Sequence, residues 1–133
     1  MSNNAVICGF ARSPFTPAKK GELAKVRPDD LAAEVVKGLI KKYSINVDDV
    51  EDLILGCAFP EAEQGMNLAR NVVFLSGLPD SVGGVTVNRF CASSMQAIHQ
   101  AAGSIISGSG DVFIAAGVES MSRVPMGGFN PMM

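Results

Sequence analysis

Three cysteines, one histidine and a small set of carboxylates are the groups in this 133-residue chain with the chemistry to attack a carbonyl or move a proton. Cys91 is set apart by its position. It follows an apolar run at 82–87 and precedes a helical stretch from about 92 to 107, which puts its thiol at a strand-to-helix turn. Unpaired N–H groups and the dipole at a helix N-terminus favour thiolate over thiol, and nucleophiles of α/β enzymes occupy such turns. The alternative is a cysteine serving as a small apolar residue at the end of an element. Cys8 and Cys57, within or closing apolar runs, are expected to be buried packing residues.

The single histidine, His99, lies eight residues beyond Cys91 on the same helix, roughly 12 Å along the axis at the α-helical rise. It is expected to be a packed or interface histidine and not the base of a Cys–His pair, so a base for Cys91 has to come from elsewhere. Glu119 closes the last apolar run. A carboxylate there can act as an acid or base, but hydrogen bonding to nearby backbone N–H groups is the expected role. Gly83-Gly84 and Gly127-Gly128 match neither dinucleotide nor phosphate-loop spacing. Metal-ligand spacing is absent too, so no bound metal and no permanently held cofactor is expected. Asp48, Asp49, Glu51 and Asp52 read as a solvated turn and strand entry.

The elements that must position these groups alternate along the chain. Apolar runs at 5–10, 53–58, 82–87 and 112–118 read as strands. Pro28, Asp29 and Asp30 suit a first helical turn, and Leu31, Val35, Val36, Leu39, Ile40 and Tyr43 recur at helical spacing. A second helix at 67–76 is closed by Gly77 with Pro79 beyond it. The third, at 92–107, carries Ala, Ser and Gly on all sides and no charge, so it is expected to be buried all round between two layers. The tail from Pro125 has no periodicity. Strand–helix–strand alternation indicates an α/β domain with a parallel or mixed sheet.

Composition narrows the function. Eleven basic against thirteen acidic residues give a net charge of −2, which speaks against nucleic-acid or anionic-membrane binding. Only 18% of residues are charged and 47% are apolar, against roughly 25% charged in an average domain; part of the surface is expected to be covered by something outside this chain. No membrane span is expected, because the longest uncharged stretch, 90–110, is rich in Ser, Gln and Gly. No signal peptide is visible at the N-terminus. Three cysteines without paired spacing suggest reduced thiols and a cytoplasmic setting.

The segment Asn88-Arg89-Phe90-Cys91-Ala92-Ser93-Ser94-Met95-Gln96-Ala97-Ile98 resembles the nucleophile motif of the thiolases. The stretch from Ala115-Ala116-Gly117-Val118-Glu119-Ser120-Met121-Ser122 to Met126 resembles their second N-terminal signature. Ala11-Arg12-Ser13-Pro14-Phe15, Gln64-Gly65-Met66-Asn67-Leu68-Ala69-Arg70 and Ser76-Gly77-Leu78-Pro79 agree in order and spacing. Departures are Ser13 where threonine is usual, Ala116 in a usual Gly-Gly pair and Ala92 after the cysteine. The surroundings of Cys91 are closest to the 3-ketoacyl-CoA thiolases of fatty-acid β-oxidation.

The resemblance implies ping-pong acyl transfer through an acyl-Cys91 intermediate, with acyl-CoA substrates and coenzyme A as cosubstrate. The Cys91 N–H would contribute to an oxyanion hole. It also implies the N-terminal half of a layered αβαβα fold: a mixed, mostly parallel sheet with helices on both faces, incomplete without the remainder. Residues 1–122 correspond to part of the N-terminal domain and 123–133 to the start of a loop region. The activating histidine and second catalytic cysteine of the family have no counterpart here, so this polypeptide alone is expected to be inactive, and the complete protein to be a homo-oligomer. Two alternatives stand beside this: a fragment of a ketoacyl synthase-type condensing enzyme, and a non-catalytic split or truncated module that pairs through the edge of its third strand.

Overall fold

Three of the four apolar runs pair into one sheet in the computed structural model, which describes residues 4–131. β1 (Asp52–Gly56), β2 (Gly83–Val87) and β3 (Phe113–Gly117) lie in the order β2-β1-β3, every pair parallel. The helices are α1 (Pro28–Tyr43), α2 (Leu68–Ser76) and α3 (Ser93–Ser107). From β1 the chain moves one way across the sheet to β2, then back past β1 to β3. Right-handed crossovers place the connecting helices on opposite faces when the direction reverses, and α2 and α3 lie on opposite faces.

Central β1 shows this in its side chains. Leu53 and Leu55 pack with Ala32, Ala33 and Val36 of α1 and with Leu68, Ala69, Val72 and Val73 of α2. Ile54, pointing the other way, packs with Ala97 and Ala101 of α3. A strand buried on both faces reads as an unbroken apolar run, and Leu53-Ile54-Leu55 is one. Helix ends follow the sequence signals. Pro28 opens α1. Gly77, at φ 76°, closes α2, with Gly77 N–H donating to the Phe74 carbonyl and Leu78 N–H to that of Val73.

Two expectations are corrected, the strand at 5–10 and the burial of Cys8. Residues 5–10 are not a strand: they form no ladder among the described residues, and Val6, Ile7, Phe10 and Cys8 are exposed. Alternating or continuous hydrophobicity makes a strand only where a neighbour supplies hydrogen bonds. Here the segment is tethered by Lys42 Nζ and Tyr43 Oη donating to the Phe10 carbonyl, both at 3.4 Å. Cys8 is therefore an exposed thiol, not a buried packing residue. Within this chain α3 is covered on one face only, and no second layer lies over it among the described residues. Ser93, Ala97 and Ala101 are buried, while Met95, Ile98 and Ile106 are exposed, because the sheet lies against a single side. Helix α1 presents Ala32, Ala33 and Val36 to the core, and Leu31 and Val35 line an apolar groove of about 1460 Å³ between the N-terminal segment, β3 and α3.

What seats α3 is a pair of glycines. Gly56 and Gly117 are directly opposite each other at the last register position of β1 and β3. A Cβ on Gly56 would lie 2.4 Å from the backbone of Ser93 and Ser94, and one on Gly117 would lie 1.8 Å from Ser94 Oγ. The first turn of α3 thus rests on bare backbone at the C-terminal ends of two strands. The tail is fastened separately: Arg123 and Arg27 both pair with Glu63, and Arg27 also pairs with Asp29, while Val124 is buried.

Two outcomes follow from these contacts. Gly56→Ala forces backbone against backbone, and chemical denaturation should show a loss of about 1–3 kcal/mol or more, the usual cost of overpacking; an unchanged midpoint would mean α3 can lift off freely. Asp52 Oδ1 is buried without a hydrogen-bond partner, and burial pushes the Asp52 carboxyl above its usual range. A raised folded-state pKa means the charged form is disfavoured in the fold, so stability is lost as pH rises through the unfolded and then the folded value. Asp52→Asn should match the parent at low pH and gain on it as pH rises past that window, read as the difference in melting temperature.

Candidate active site

Past Val87 the chain leaves the sheet and must turn within a few residues to enter α3. Phe90 makes the turn in the left-handed region, at φ 48°, which is unfavourable for a bulky side chain and persists only where its surroundings hold it. Several bonds do so. Phe90 N–H donates to Asn88 Oδ1 at 2.8 Å. Ser93 Oγ donates to the Phe90 carbonyl at 2.6 Å and accepts from Arg89 N–H at 2.9 Å. The Ala92 N–H donates to the Arg89 carbonyl at 3.1 Å. Across the turn, the Phe90 ring lies 6.3 Å from that of Phe59. Cys91 is thereby exposed at the mouth of the groove. No side chain caps α3, so the positive end of its dipole beside Cys91 is not neutralised.

Behind the turn lies a polar network centred on a buried amide. Gln64, fully buried in the 3₁₀ turn Ala62–Gln64, donates from Nε2 to Glu119 Oε1 at 2.6 Å and to the Phe59 carbonyl at 2.8 Å. Its Oε1 accepts from Ser120 N–H at 2.7 Å. Glu119 Oε2 accepts from Ala58 N–H at 2.7 Å. The carboxylate thus does hold backbone N–H, as expected from its position at a strand end. Cys57 Sγ lies 3.7 Å from Glu119 Oε1, and burial, with the Glu119 charge adding to it, pushes the Cys57 thiol up to about 12. Cys57 is a buried packing thiol, as its apolar run implies.

Of the groups singled out in the sequence, the fold brings Cys8, Cys91 and Glu119 to the same groove. His99 does not join them; it is exposed on α3 and not packed within this chain. No cluster of three or more His, Cys, Asp or Glu able to hold a metal ion occurs among the described residues. Sequence reasoning missed Gln64 and Asn88 as site residues. Neither type carries acid, base or nucleophile chemistry at pH 7, and their role exists only through partners far away in sequence.

The two cysteines in or behind the turn should behave oppositely. Peptide-level mass spectrometry after iodoacetamide treatment of the native chain should find Cys91 and Cys8 modified, with Cys57 at least about a hundredfold slower, since only a thiolate reacts and Cys57 is held as thiol. Comparable labelling of Cys57 would contradict this placement.

Comparison with known proteins agrees with the geometry. Residues 5–132 match the family model described as Thiolase, N-terminal domain. The chain is 54% identical over 124 residues to a 3-ketoacyl-CoA thiolase of Bacillus subtilis, covering 93% of this chain and 32% of that protein. It is 50% identical over 125 residues to one of Colwellia psychrerythraea, with the same coverage, and 50% identical over 123 residues to one of Acinetobacter baumannii, covering 92% and 32%. The chain therefore spans about a third of the length of these relatives. The strand-to-helix turn that exposes Cys91, the parallel sheet behind it and a family match over nearly all of the sequence agree: this chain belongs to the thiolase family, and matches within its N-terminal domain.

Proposed function

We propose that this chain supplies the nucleophile of a 3-ketoacyl-CoA thiolase. The observation that carries the reading is the exposed Cys91 sulfur, held beside an uncapped helix N-terminus by a turn that is bonded on both sides. The Cys91 thiolate attacks the 3-keto carbon of a 3-ketoacyl-CoA, forming an S–C bond while the carbonyl oxygen takes up negative charge. The Cys91 N–H donates to that oxygen, and such donors contribute a few kcal/mol. Collapse breaks the C2–C3 bond; its electron pair takes a proton and acetyl-CoA leaves, with the acyl group remaining on Cys91. The thiol of coenzyme A gives up its proton, its sulfur attacks the acyl group, and acyl-CoA departs as the Cys91 thiolate is restored.

Within this reading Glu119 is not the proton carrier, because its two oxygens are bonded to Ala58, Gln64 and the Cys57 thiol. The base that activates Cys91 and the donor that protonates the leaving acetyl-CoA come from the two-thirds of the relatives' length that this chain does not span. Residues 1–122 act as the N-terminal domain portion and 123–133 as the start of a loop region. The complete protein works as a cytoplasmic homo-oligomer in fatty-acid breakdown. The relatives' names favour this over a ketoacyl synthase, since the proteins it matches are 3-ketoacyl-CoA thiolases. No helix among the described residues is long and apolar enough to cross a membrane.

Two measurements check the proposal. In the full-length polypeptide, a short incubation with a 3-ketoacyl-CoA should add one acyl group to Cys91, and Cys91→Ser should cut thiolysis by at least about a thousandfold, the scale seen when a nucleophile is removed. The 133-residue chain alone should not turn over acetoacetyl-CoA. Acylation elsewhere, or robust turnover by the short chain, would sink the reading.

A further inference from the structure

The backbone ladder of the sheet ends just short of the site. Its last bonds are Cys57 N–H to the Val87 carbonyl at 3.0 Å and Val118 N–H to the Gly56 carbonyl at 3.1 Å. Beyond them, side chains bridge the three strand continuations. Glu119, following β3, accepts from the Ala58 N–H, and Asn88, following β2, donates from Nδ2 to the Ala58 carbonyl at 3.0 Å. Ala58, following β1, is thus held from both neighbours. The same Asn88 carboxamide accepts the Phe90 N–H, and Phe90 is the strained residue directly before Cys91.

We propose that Asn88 is the positioning residue that presents Cys91, working from the anchor that Gln64 and Glu119 make of Ala58. This rests on Cys91 being the nucleophile. The carboxamide suits the task because one rigid planar group offers both a donor and an acceptor: the donor grips the central strand's continuation, and the acceptor holds Phe90 in the left-handed conformation. A carboxylate would lack the donor, and a hydroxyl is too short to make both bonds. Asn88 acts through the Phe90 peptide and touches no reacting atom. It is also exposed, so the core does not depend on it, and its loss should alter the turn and leave the fold intact.

Asn88→Ala in the full-length polypeptide should lower kcat about tenfold or more, with KM and melting temperature close to the parent. Asn88→Ser, whose hydroxyl can still accept the Phe90 N–H, should recover a substantial part of the loss. A second readout needs no acyl-CoA: the iodoacetamide rate at Cys91 should fall severalfold in Asn88→Ala relative to Cys8 in the same molecules. Unchanged kcat and unchanged Cys91 alkylation would overturn the assignment. So would equal impairment of Ala and Ser variants together with a large drop in melting temperature, which marks mere destabilisation. Should Asn88→Ala fail to fold, the Ser variant alone decides, through its ratio of Cys91 to Cys8 alkylation. If the parent Cys91 is never acylated while its alkylation still depends on Asn88, the thiolase chemistry fails and the positioning role stands.

Discussion

Helix α3 can deliver Cys91 to the ends of the strands only because nothing stands between its first turn and the sheet. At the last paired position of β1 and β3 both residues are glycine, and the space a Cβ would need on either is filled by Ser93 or Ser94. Close-packed interiors do not yield to an added methyl group without moving something. The position of the turn therefore depends on two residues with no side chains, neither of which does any chemistry. Side chains on α3 continue the same arrangement one turn further along, where Ala97 and Ala101 meet Ile54.

Two sulfurs close to this junction sit in opposite environments. Cys57 sits behind the strand ends, fully buried and facing the Glu119 carboxylate, and both burial and that charge resist ionisation. Cys91 sits in front, exposed, at the positive end of a helix. Glu119 has a double part in this division. It raises the barrier to ionising the thiol behind it, and it holds the Ala58 backbone from which the turn in front is braced. A half-buried carboxylate still needs partners for its oxygens, and the Gln64 amide and Ala58 N–H supply them.

The same architecture leaves apolar surface unclaimed. Val6, Ile7, Phe10 and Phe15 are exposed along one side of the groove, and Ile98 and Met95 on α3. The low fraction of charged residues has its counterpart in this distribution: apolar side chains that an isolated domain would bury stay exposed. Large contiguous apolar patches mark surfaces that meet other protein, in keeping with a chain that spans about a third of its relatives' length.

Residue order alone was enough to place the three helices, three of the strands and the turn that bears Cys91, because each has a local cause. Pro28 and Gly77 mark helix ends, the unbroken apolar run Leu53-Ile54-Leu55 marks a strand buried on both faces, and a cysteine between a strand and a helix has few places to be. Local causes could not decide residues 5–10, whose composition suits a strand but whose state depends on a neighbour's hydrogen bonds. Nor could they fix which face of α1 is buried, since Leu31 and Val35 belong to the same apolar stripe as Val36 and only packing separates them. Gln64 and Asn88 were legible as members of family motifs, with no role attached to either. Their bonds to Glu119, Ser120 and Ala58 span 55, 56 and 30 residues, and a contact across such separations exists only once the sheet has brought its three strand ends side by side.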